Sequence, residues 1–182
     1  MTGWTVRRGG AADAVALARI FWRAVHEGAA PRYDAAQRAA WLPAPPAPAA
    51  FADRLAPQAV VVADGRDDPI GFMTLGPSGH LDPAYVLPEW RGTGLADALL
   101  AVLLNHAATA GLTRLTTRAS DMARPFFARH GWQVVAPAPR IRAGVVLPAT
   151  DMAFDLPPAR PADGMSQTGA LDFSPHALNQ SL

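Results

Sequence analysis

The chain has 182 residues, of which 50% are hydrophobic and 17% charged, with a net charge of +1; this suits one globular domain with a sizeable core and argues against disorder. All 16 Lys+Arg positions are arginine and there is no cysteine, which excludes Schiff-base or phosphate-loop lysine chemistry, disulfides, thiolate nucleophiles and cysteine metal sites. No dense basic patch points to nucleic acid, and neither an apolar signal region nor a run of roughly 20 apolar residues points to a membrane, so a cytoplasmic protein is expected.

Residues 5–8 read as a first strand closed by Gly9 and Gly10. Asp13 can cap a helix whose apolar face holds Val15, Leu17, Ile20, Phe21 and Val25, and which Gly28 ends. Asp34 starts a second short helix carrying Trp41. Pro43, Pro45, Pro46 and Pro48 bar both helix and central strand, so 42–48 reads as an extended spacer. Residues 51–55 form another helical turn. Residues 59–63 and 70–75 are apolar strands about a polar turn, an antiparallel hairpin. A third strand, 80–87, contains Pro83, which suggests a bulge or a local loss of pairing.

A turn follows, Arg91-Gly92-Thr93-Gly94, then a helix over 95–110 with Leu95, Leu99 and Leu103 in one row and Gly111 as its left-handed stop. Residues 112–118 are a strand, 123–130 a short helix stopped by Gly131, and 132–135 and 145–154 the last strands, with Trp22 and Trp132 expected in the core. From 157 onward the chain is proline-rich and polar. The expected organisation is one α+β domain over 1–156 and a tail, 157–182, that is weakly ordered or docks on a neighbour.

The turn at 91–96 carries the chemistry. A glycine turn between a strand and a helix offers unpaired backbone N–H groups at the positive end of the helix dipole, a site for a pyrophosphate. A dinucleotide fingerprint would need a third glycine and a place after the first strand; this turn has neither. A phosphate loop needs a lysine. A turn that merely connects strand to helix stays open on these residues alone.

The segment Tyr85-Val86-Leu87-Pro88-Glu89-Trp90-Arg91-Gly92-Thr93-Gly94-Leu95-Ala96 resembles the acyl-CoA signature Arg/Gln-x-x-Gly-x-Gly/Ala of the GNAT N-acetyltransferase superfamily. About 30 residues on, Met122-Ala123-Arg124-Pro125-Phe126-Phe127-Ala128-Arg129-His130-Gly131-Trp132 is similar to that family's Asn-Ala-x-x-Phe-Tyr-x-x-x-Gly-Phe landmark. The resemblance spans about residues 4–156 and is to a bacterial small-molecule branch. It implies a mostly antiparallel twisted sheet of about six or seven strands flanked by about four helices, and acetyl-CoA as co-substrate. It implies that backbone N–H groups of Gly92, Thr93, Gly94, Leu95 and Ala96 hold the pyrophosphate, that Tyr85 and Val86 pair with the pantetheine arm, and that the Val86 N–H polarises the thioester. Arg91 either contacts phosphate, or packs over the helix end or meets Glu89. Met122 and Phe127 stand at the family's Asn and Tyr positions beside the cofactor. Phe127 cannot donate the proton usually supplied there, which leaves water, Tyr33 or Ser120.

The acceptor must attack as a neutral amine, so a base is useful. His80, or Asp82 two residues on, is the candidate; His80 as a solvent-facing residue and Asp82 as a turn former remain open. His26, Glu27, Tyr33 and Trp41 are candidates to line the site of a small-molecule amine, with helix capping the alternative role of His26. No metal spacing is found, and a homodimer is compatible with the last strands and the tail. The expected activity is direct acetyl transfer in a ternary complex, the alternative an acyl-CoA-binding partner module with little catalysis.

Overall fold

The computed structural model describes residues 3–157; the tail expected over 157–182 therefore lies outside the described residues, apart from Pro157. A seven-stranded sheet in the order β1-β2-β3-β4-β5-β9-β6 forms the centre. Its strands are β1 (Thr5–Arg8), β2 (Ala59–Asp64), β3 (Pro69–Leu75), β4 (His80–Val86), β5 (Arg114–Ser120), β6 (Gln133–Pro137) and β9 (Ala149–Asp155). A short ribbon, β7 (Arg140–Arg142) with β8 (Val145–Leu147), stands apart from it. The helices are α1 (Ala14–Arg23), α2 (Ala35–Trp41), α3 (Pro48–Leu55), α4 (Leu95–Thr109) and α5 (Arg124–Arg129). None of the described helices is long and apolar enough to cross a membrane.

The hydrophobic patterns build these elements as the periodicities require. Val60, Val61, Val62, Phe72 and Met73 are buried because β2 and β3 are central strands covered on both faces. Leu17, Ile20 and Phe21 of α1 bring one apolar stripe to the sheet beside Phe51 and Leu55 of α3; Leu95, Leu99, Leu100 and Leu103 of α4 do the same from the other side. Val15, expected on that stripe, is 68% exposed, because its position on α1 turns away from the sheet. Trp22 is only half-buried and stacks on His26 at 3.8 Å between ring centroids, whereas Trp132 is buried as expected.

Two local expectations change. Asp13 sits before α1 but makes no cap there; its carboxylate accepts from the Gly10 N–H and pairs with Arg7. The last strand is not continuous: Pro148 separates β8 from β9, and β7 supplies the ribbon's other strand in a segment with no periodic signal. Asp34 does cap α2, accepting from the Gln37 N–H at 2.7 Å.

Candidate functional site

The sheet is open at one place. β4 and β5 run parallel and pair only at His80↔Thr116 and Leu81↔Thr117, after which they diverge. Each stays paired on its outer side, β4 to β3 as far as Gly71↔Val86 and β5 to β9 as far as Ser120↔Ala149. The inner backbone groups of residues 82–86 therefore face a gap. The Leu87 N–H donates to the Ile70 carbonyl at 2.9 Å. Antiparallel pairing alternates along the strand, so the Val86 and Ala84 backbone groups turn away from β3 and toward the gap.

The glycine turn lies beyond the end of β4. Gly92 (φ 76°) and Gly94 (φ 81°) are left-handed, and Gly94 precedes the first turn of α4. A Cβ at either would meet no atom within 4 Å, so the space before the turn is free. The first N–H groups of α4 have no partner within the helix and point there. Leu95 itself is fully buried and Thr93 donates its hydroxyl to the Trp90 carbonyl at 2.8 Å, so both can contribute to the turn only through the backbone. Arg91 donates to the Gly28 carbonyl and lines the cavity before the turn; Glu89 instead pairs with Arg23 at 2.9 Å.

That cavity, of ≈ 320 Å³, runs from the turn into the gap and ends at Ala84, Tyr85, Ser120, Met122 and Phe127. A second, smaller cavity opens from the far side of the gap and is walled by Tyr33, Trp41, Asp82, Arg118 and Arg140. Tyr85, Trp41 and Ser120 belong to both walls, so the two spaces meet there. A bulge makes this possible: Met73 pairs with Ala84 but Leu75 pairs with Leu81, which leaves one extra residue in β4 around Pro83, as its proline predicts. Asp82 and Tyr85, three apart, then face the same cavity.

The predicted site residues divide between these spaces. Asp82 lines the second cavity and is held by Arg54 at 3.0 Å. His80 lies at the closed end of the strand pair, with Nδ1 3.0 Å from the Thr116 hydroxyl, in an adjoining depression that also touches Arg118 and Arg140. Tyr33 shows its ring to the second cavity, but its hydroxyl is committed: it donates to the Pro148 carbonyl at 2.7 Å and accepts from the Asp121 N–H at 2.8 Å. Burial pushes this phenol above the usual tyrosine range.

His26 and Glu27 line neither cavity. Residues Ala24–Gly28 continue α1 as a wider π-type turn. It directs Glu27 back onto Arg23 at 2.7 Å and brings His26 Nε2 within 2.8 Å of the Leu42 carbonyl. The Arg23 guanidinium holds Glu27 and Glu89 below the usual carboxylate range. Phe127 is buried, with its ring 5.0 Å from Trp132.

Sequence reading missed the side chain of Tyr85, which stacks on Phe21 at 4.4 Å and is pushed above the usual tyrosine range by burial and then by Asp82. It also missed Arg118 and Arg140. Arg118 follows the alternation of β5, which a strand pattern could have shown; Arg140 lies on the ribbon that had no signal. Among the described residues no group of three or more His, Asp or Glu side chains could hold a metal ion.

Residues 29–156 match the family model described as an acetyltransferase (GNAT) domain. The chain is 34% identical over 119 residues to the uncharacterized N-acetyltransferase YafP of Escherichia coli K12, an alignment covering 65% of this chain and 74% of that protein. The crystal structure of a GCN5-related N-acetyltransferase from Rhodopseudomonas palustris superposes with a TM-score of 0.78 at 32% identity, covering 86% of this chain and 98% of that one. YncA of Salmonella typhimurium, solved with its cofactor acetyl-CoA, superposes with a TM-score of 0.60 at 24% identity over 90% of this chain and 99% of that one.

Proposed function

The chain belongs to the GNAT acetyltransferase family, and from that premise we propose that it transfers an acetyl group from acetyl-CoA directly to a small-molecule amine in a ternary complex. The carrying observation is the meeting of two cavities at Tyr85, Trp41 and Ser120, one leading from an anion-binding turn and the other from outside the gap. The first fits acyl-CoA: open space before Gly92 and Gly94 for the pyrophosphate, and unpaired β4 backbone for the pantetheine arm. The second is the place for the amine.

Within this reading the amine nitrogen attacks the thioester carbonyl carbon. The N–C bond forms, and the carbonyl oxygen takes negative charge facing the Val86 N–H. The C–S bond then breaks and the thiolate leaves. The nitrogen's proton passes to Asp82, directly or through one water, with Arg54 fixing the carboxylate. Asp82 is assigned this role over His80, which does not line the second cavity. The thiolate takes a proton from solvent: Phe127 has none to give, the Tyr33 hydroxyl is engaged, and the Ser120 hydroxyl, which lines both cavities, is a far weaker acid than the thiol it would have to protonate. A thiolate leaves readily enough to need no dedicated acid.

The absence of cysteine makes the test simple: a thiol reagent reports only released CoA. Acetyl-CoA should bind in isothermal titration, and thiol release should follow over an amine panel. Asp82→Asn should lower kcat by about a hundredfold with little change in acetyl-CoA affinity. No heat with acetyl-CoA at high micromolar concentration would sink the cofactor assignment. Phe127 and Met122 motivate a second reading, an acyl-CoA-binding module, which binding without thiol release over the panel would favour.

A further inference from the structure

We infer that the acceptor is an amine that also carries a carboxylate, of amino-acid type with an apolar or aromatic body, and that Arg140 binds that carboxylate. This deepens the transferase reading above and rests on it.

The charges around the second cavity do not cancel. Asp82 is paired with Arg54 at 3.0 Å. Arg118 is bound by both oxygens of Asp151, at 2.7 and 2.9 Å. Arg140 lines the same cavity, half-buried, and makes no ion pair among the described residues. The carboxylate that feels its charge, Asp151, is already occupied by Arg118. Two neutralised pairs and one surplus guanidinium leave the site one positive charge in excess.

That excess selects among amines. A reacting amine is neutral, so a simple amine gives the surplus charge nothing to meet. A polyamine or other polycation brings further positive charge beside Arg140 and is repelled. An amino carboxylate in its reactive form, neutral at nitrogen and negative at the carboxyl, carries the complementary single charge. A guanidinium presents a planar fork that matches a carboxylate through two parallel N–H···O bonds. Arg140 also favours loss of the acceptor's ammonium proton, since a cation disfavours a second cation nearby.

The remaining walls place the two ends. Asp82, the assigned base, is on β4, and Arg140 is on the ribbon across the same cavity. Trp41 and Tyr85 present rings between the two spaces, an apolar surface for the acceptor's body.

The test uses the full chain with acetyl-CoA and thiol detection. Free phenylalanine, leucine and methionine are compared with their carboxamides and with spermidine. The free acids should exceed the amides in kcat/KM by about tenfold to a hundredfold, the scale of a charge-assisted hydrogen bond, and spermidine should be turned over least. Arg140→Gln should remove that preference through the acceptor KM, leaving the acetyl-CoA KM unchanged, and Arg140→Lys should restore part of it. Thermal melting of both variants checks that the fold is intact. Amides or spermidine used as well as the acids, or Arg140→Gln lowering acids and amides alike, overturns the carboxylate assignment and leaves the transferase reading standing. Acetyl-CoA binding with no thiol release for any amine overturns the transferase reading, and this inference with it.

Discussion

Tyr33 shows how one buried hydroxyl can tie three segments together. Its O–H reaches Pro148, where β8 gives way to β9, and its oxygen receives the Asp121 N–H just after β5. Tyr33→Phe keeps the ring packed against Trp41 but leaves the Pro148 carbonyl and the Asp121 N–H without partners. Both groups are only partly buried, so each costs no more than the lower end of the about 1–3 kcal/mol of a buried unsatisfied group, and the variant should unfold at modestly lower urea; an unchanged midpoint would show that water replaces the hydroxyl. Arg91 is held in a comparable way. A Cβ on Gly28 would lie 2.2 Å from Arg91 Nη2. Because the clash is with the end of a flexible side chain, Gly28→Ala should preserve the fold and displace the guanidinium, raising the acetyl-CoA KM several-fold. If that KM stays at the wild-type value, Arg91 has no part in holding the cofactor.

The elements place the glycine turn and its cavity through close contact. Gly71 lies on β3 opposite Val86, and a Cβ there would fall 2.8 Å from Leu95 Cδ2 and 3.1 Å from Val86 Cγ2. The missing side chain lets the first turn of α4 sit directly on the β3–β4 pair, which sets where the glycine turn faces. Gly71→Ala should push that turn outward, destabilising the fold by about 1–3 kcal/mol through overpacking and weakening acetyl-CoA binding at the same time. Loss of stability with unaltered binding would show that the turn is positioned from elsewhere. The bulge at Pro83 acts at the second cavity. In a regular strand without the bulge, alternation would put Asp82 and Tyr85, three apart, on opposite faces of β4.

At the scale of the whole molecule, several surface ion pairs join segments distant in sequence. Asp151 on β9 is held below the usual carboxylate range by its bonds to Arg118 on β5. Burial pushes Asp97 upward, but its bonds to His130 and Arg129 outweigh this and leave it below that range. A carboxyl with a lowered folded pKa stabilises fully above its unfolded value, near about pH 4, and loses that contribution as pH falls through the folded value. The protein should therefore lose stability to urea below about pH 4. Both side chains are more than a third exposed, so solvent screens them and each contribution is modest. Asp151→Asn should flatten the acid limb of the stability profile; a variant curve parallel to wild type would remove Asp151 from the acid dependence.

The sequence by itself determined the order of elements as far as β6, the glycine turn and its helix, and the family. These are local matters: apolar periods, proline and glycine punctuation, and two motifs that each lie within one stretch of chain. It also marked the bulge, since Pro83 cannot pair normally. Tertiary structure decided the rest because it depends on which segments meet. His26 and Glu27, close in sequence to Tyr33 and Trp41, are turned to Leu42 and Arg23 by the π-type turn. Asp82 and Arg140, 58 positions apart, share a cavity only because β4 and β5 part after Leu81 and the ribbon brings Arg140 to the wall of the same cavity. Whether an arginine has a partner is not written in its neighbours in the chain, and the charge left over on Arg140 becomes visible only when Arg54 and Arg118 are seen to be taken.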